Sequence, residues 1–101
     1  MQIINKLSDM IEEEMDDAEK YIECAMKYKD ELPALSAVFY KLSMEEMVHM
    51  SMLHDQVTAL ISDYRREHGD PPADMQGIYD YLHKRHTQHA NKIKVMQGLY
   101  K

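Results

Sequence analysis

Two residues with chemistry to offer, Glu46 and His49, stand in the middle of a heptad-spaced stripe that is otherwise mostly apolar: Leu35, Phe39, Leu42, Glu46, His49, Leu53, Gln56 and Leu60. Residues three apart on a helix share a face, so the carboxylate and the imidazole look into the same space. A second stripe, Ile4, Leu7, Ile11, Glu14, Ala18, Tyr21, Ala25 and Tyr28, is broken in the same way by Glu14. An unpaired carboxylate in an apolar seam costs several kcal/mol, a large share of a small domain's stability. Either a cation or a hydrogen-bonding partner must therefore meet these groups. Two carboxylates and an imidazole suit iron, manganese or zinc; the alternative is a buried polar network that fixes helix register without metal.

These groups need helices to carry them, and the punctuation of the chain supplies three. The first is expected from about Gln2 to Tyr28, ending at Lys29-Asp-Glu-Leu-Pro33. Pro33 cannot continue that helix but can start the next. The second should run from Pro33 to about Glu67, roughly 50 Å at ~1.5 Å per residue, with Gly69 as its cap. Asp70-Pro71-Pro72 separates it from a third, starting near Ala73 or Asp74, with a stripe of Met75, Tyr79, Leu82, His86, His89, Ile93, Met96 and Tyr100. Six Gly and Pro in 101 residues agree with an all-α chain. So short a first connection predicts an antiparallel hairpin. If it turns near residue 31, the position opposite Glu14 is near 48, which brings Glu14 to the level of Glu46 and His49. Glu13 and Glu45 are the alternates one residue out of register. The whole is expected to form one domain, 1–101.

Glu14 followed seven residues later by Tyr21, and then Glu46-Met-Val-His49, resembles the first half of the rubrerythrin and ferritin-like pattern over roughly residues 10–60. Ferritin-like dinuclear proteins take one Glu from each of two helices and Glu-x-x-His from each of two others. This chain has half of that set and no Glu after Glu67. In this it is similar to the encapsulated ferritins, whose half-sized chains share an iron site. The resemblance implies half of a ferritin-like four-helix bundle, completed by homodimerisation about a two-fold axis. It implies two irons per dimer, with manganese or zinc as alternatives. Glu14 would be a terminal ligand, Glu46 a bridge and His49 a nitrogen ligand. It further implies ferroxidase-like chemistry with dioxygen or peroxide. Around the ligands, Asp17 is placed to accept the second N–H of His49, and Tyr21 to hydrogen-bond a metal-bound carboxylate or to serve as a core aromatic. A metal-binding module without turnover, or a purely structural helical interaction protein, are the other functions these residues allow.

The remaining polar residues read more plainly. His83, His86 and His89 recur every three residues on the third helix. They are candidates for a second metal site or for extra ligands to the first, with a polar edge at a packed interface as the simpler reading. Glu12, Glu13, Asp16 and Glu19 fall off the seam and read as solvent-facing, as do His54 and His68. Of ten methionines, Met44, Met47, Met50 and Met52 cluster near the proposed site; a thioether patch could suggest copper(I), but flexible core filler is the expected role. The net charge of −6 argues against nucleic acid. Residues 1–31 carry ten acids against four lysines, while 69–101 carry three acids against five bases. That basic last third is expected to face solvent or to lie against the acidic first helix. One cysteine, Cys24, excludes an intrachain disulfide and, with no signal-peptide pattern and no membrane-length apolar run, leads to the expectation of a cytoplasmic protein.

Overall fold

A computed structural model describes residues 2–100. The described chain is all-helical, with helices α1 (Gln2–Lys27), α2 (Pro33–His68) and α3 (Ala73–Leu99), and no strand among the described residues. No described helix is long and apolar enough to cross a membrane. Pro33 opens α2, where its missing N–H costs nothing. At the other end Gly69 takes φ 77°, and its N–H bonds the Arg65 carbonyl at 2.9 Å. Arg65, Arg66 and His68 fill the last turn, where cations favour the helix dipole.

The three helices lie side by side in a body 55 × 18 × 18 Å. α1 contributes the most regular buried stripe: Ile4, Ser8, Ile11, Met15, Ala18, Ile22 and Ala25. Against it α2 buries Ser36, Ser43, Met47 and Met50. Small residues set this contact. The Ser43 hydroxyl donates to the Ala18 carbonyl at 2.7 Å, and the Ser36 hydroxyl donates to the Ala25 carbonyl. Higher positions on α2 thus pair with lower positions on α1, and neither serine is left with an unpaired hydroxyl. Met15, Met47 and Met50 share the central core cluster with Ile93 of α3, whereas Met44 and Met52 are exposed, so the methionines form no single thioether patch.

α3 covers one flank of the α1–α2 pair and is anchored at its end. Ile93 is fully buried, and the Gln97 amide donates to the Ser43 hydroxyl at 2.9 Å. The Tyr100 ring stacks on Tyr40 with centroids 4.5 Å apart, and Lys29 Nζ donates to the Tyr100 carbonyl at 2.6 Å. This docking changes the expected seams. On α2 the buried positions are Ser36, Ser43, Met47 and Met50, while the Leu35–Leu60 stripe is half-buried to exposed. On α1, Leu7, Glu14, Tyr21 and Tyr28 are half-buried, and Ser8, Met15 and Ile22 take the core beside them. The reason is geometric: α3 docks on the far shoulder of α1 and meets α2 about Ser43, Met47 and Met50. The predicted α2 stripe, with Leu7, Glu14, Tyr21 and Tyr28 of α1, therefore forms a near shoulder that no described helix covers, while Ile4, Ile11, Ala18 and Ala25 of the predicted α1 stripe stay in the core.

Candidate metal centre

At 100° per residue, Glu14 and Tyr21 lie on one shoulder of the α1 core stripe, and Glu12 and Glu19 lie on the other. On the Glu14 shoulder, the half-buried Glu14 and Glu46 meet His49. His49 Nδ1 is 3.5 Å from Glu14 Oε2 and 3.8 Å from Glu46 Oε2. One donor atom from each residue falls within 4.8 Å of the others. Two ligands of a single ion at about 2.05 Å, set tetrahedrally, stand roughly 3.3 Å apart, so the trio is slightly open for one ion. Glu13 and Glu45 are exposed, and the register is the one that turns Glu14 and Glu46 together.

The electrostatics are those of a site short of positive charge. Glu46 is raised from its usual 4.5 to about 7. The chief cause is Glu14, which hydrogen-bonds the protonated form; burial and the Glu14 charge add to it, Asp17 adds a little, and His49 opposes. Glu14 Oε2 is buried without a hydrogen-bond donor, with His49 Nδ1 standing off at 3.5 Å, so a proton on Glu46 or a cation between the groups would satisfy it. Because the folded protein holds this proton more tightly than the unfolded chain, the stability it brings is complete below about pH 4.5 and is lost as pH rises through 7. Chelator-treated wild type should therefore lose on the order of 2 kcal/mol between pH 5 and 8. Glu46→Gln, which mimics the protonated acid, should flatten that slope in urea melts. An unchanged slope would mean that the two carboxylates do not share a proton.

The other predicted site residues are placed differently. Asp17 is exposed and has no hydrogen bond to His49, acting on the site only through its charge. The cause is its position a further turn around α1, past the shoulder that carries Glu14. The half-buried Tyr21 ring stacks on Phe39 at 6.3 Å, a wall of the site. Among the described residues, only Glu46 and His49 join Glu14 in its cluster, and His83 and His86 of the same chain lie away from it. His83 is exposed, its ring 5.7 Å from that of His54, which is half-buried instead of open to solvent. His86 is buried on the opposite flank, its Nε2 3.3 Å from Glu12 Oε1. Burial pushes its imidazole below the usual range, against the pull of Glu12.

Glu12 and Glu19 are likewise not solvent-facing: both are half-buried under α3, which sets Arg85, His86, His89 and Lys92 against them. The basic third does lie against the acidic first helix. Heptad spacing from Glu12 to Glu19 could have marked that flank, but the apolar stripe outweighed it. Cys24 is free and half-buried. Comparison with family models, with curated proteins and with solved structures finds no match to this chain.

Proposed function

We propose that two copies of this chain join across the uncovered shoulder of α1 and α2 to enclose a dinuclear metal centre, two irons per dimer, of the ferritin-like kind. The observation that carries this reading is the convergence of Glu14, Glu46 and His49, one buried oxygen without a hydrogen bond, on a face that none of the described residues covers. Ile3, Met10, Leu35 and Val38, on or beside that face, are exposed apolar residues, and such residues grouped around a polar centre mark an interaction site. The face is about 40 Å long and as wide as the 18 Å body. That is roughly 700 Å² per copy, near the ~800 Å² typical of stable pairs.

A two-fold axis through this face doubles three ligands to four carboxylates and two imidazoles. Glu46 would bridge, while Glu14 and His49 would bind terminally. When bound, ferrous iron supplies the electrons that reduce dioxygen or peroxide. The residues of the chain hold and shield the ions: Phe39, Leu42 and Leu53 keep water out, and Glu46 gives up its proton as metal enters. The raised Glu46 carboxyl beside Glu14 favours one other reading, a polar layer that specifies helix pairing without metal.

Protein purified from iron-supplemented cells separates the two. Two irons per sedimenting dimer, with ferrous oxidation under air, support the iron centre. A dimer free of metal, whose melting temperature chelator leaves unchanged, supports the polar layer.

A further inference from the structure

The flank under α3 carries a second group of ligands, independent of the first. Glu12, Asp16 and His89 each bring one donor atom within 4.8 Å of the others. His89 is held on both sides: Nε2 is 3.2 Å from Glu19 Oε1, and Nδ1 is 3.4 Å from Glu12 Oε2. Glu19 is an ionised carboxylate and can only accept, so Nε2 of His89 carries the proton. Lys92, 3.1 Å from the same oxygen, helps to keep Glu19 below the usual carboxylate range although burial opposes it. His89 Nδ1 is thereby turned toward Glu12 Oε2. A histidine whose far nitrogen is held by a carboxylate while its near nitrogen faces a second carboxylate is oriented as metal-bound histidines are.

A second observation points to the same place. His86 is only 7% exposed, and its Nε2 and the facing Glu12 Oε1 are both buried without a hydrogen-bond partner. Such orphans are rare and costly. Both oxygens of Glu12 thus face imidazole nitrogens at 3.3 and 3.4 Å, near the ~3.3 Å between two ligands of one small cation. Arg85 Nε lies 3.6 Å from the same Glu12 Oε1 and is largely exposed, a solvated ion pair that gives neither buried atom a hydrogen bond.

We infer that Glu12, Asp16 and His89 form a site for one divalent first-row metal ion per chain, with the buried His86 imidazole on the free oxygen of Glu12. Two carboxylates and a neutral imidazole balance a charge of +2, which a proton cannot do. The ion ties α3 to α1, and the site needs neither a second copy of the chain nor the Glu14 centre.

The test is equilibrium dialysis of the full chain against micromolar free zinc, with ¹⁵N spectra of the histidine rings. Glu46→Ala/His49→Ala, lacking the first centre, should still bind one zinc per chain and melt at a higher temperature with it. His89→Ala should lose that ion in either background, and Glu12→Gln should weaken it at least about tenfold. The His89 ring should carry its proton on Nε2 and shift at Nδ1 when zinc binds. Circular dichroism checks that each variant keeps its helices, and Glu12→Gln, nearly isosteric, serves if His89→Ala does not. No zinc on Glu46→Ala/His49→Ala, zinc unaffected by His89→Ala, or a doubly protonated His89 that zinc does not shift would each overturn the inference. If the first reading fails while this one holds, wild type binds a single zinc, lost with His89 and kept without Glu46.

Discussion

Glu46→Ala is expected to strip both irons from the dimer and to cut aerobic ferrous oxidation by about a hundredfold or more. Removing residues that merely support a ligand costs ~10–100-fold in metal affinity, and Glu46 is proposed as a bridge, so one substitution removes a ligand from both ions. His49→Ala and Glu14→Ala should behave alike, since each symmetric pair loses two ligands at once. The substituted residues are half-buried or, for His49, exposed (53% of its side chain), so the helices should survive. Glu46→Ala also removes the carboxyl that Glu14 and burial raise to about 7, and the metal-free variant should be no less stable than metal-free wild type at pH 8. Glu13→Ala and Glu45→Ala serve as controls, because both residues are exposed. Iron retained by Glu46→Ala would remove the dinuclear centre from consideration, whatever the sedimentation data show.

Leu42→Glu should turn the dimer into a monomer and take the metal with it. Leu42 is half-buried on the uncovered shoulder, one turn before Glu46. In the isolated chain a new carboxylate there stays partly in water, and the cost to folding is small. In the dimer it would be sealed beside Glu14 and Glu46, near its own symmetry mate and without a counter-ion. Buried unpaired charge costs several kcal/mol, which corresponds to a loss of about a hundredfold or more in association. Val95→Glu, on an exposed position of α3, should leave the dimer intact. Analytical ultracentrifugation at several concentrations reads both. If Leu42→Glu sediments as a metal-loaded dimer, the two copies do not meet on this face.

The two proposed metal sites can be told apart because the residues that would form them lie on opposite shoulders of α1. Residues 12 and 19 stand more than a quarter-turn from residues 14 and 21, and the core stripe of Ile11, Met15, Ala18 and Ile22 runs between them. Loss of one ion should therefore leave the other in place, and additivity is the expected result in a cross of His49→Ala with His89→Ala.

Much of this was legible in the chain alone, for a local reason. Helix limits follow from short-range stereochemistry: Pro33 can only open a helix, Gly69 alone among the nearby residues accepts φ 77° easily, and Asp70-Pro71-Pro72 admits no helix. Glu14, Glu46 and His49 could be brought together by counting residues back from one turn, because helical rise is constant. Which shoulder of that pair would be covered was not local. It depends on where α3 docks, through Ile93, Gln97 and Tyr100, contacts 54 to 71 residues apart in the chain. That docking put Ser36 and Ser43 in the core, left the predicted α2 stripe open, and buried Glu12 and Glu19 under imidazoles. Periodicity records which residues share a face; only long-range packing chooses what that face will meet.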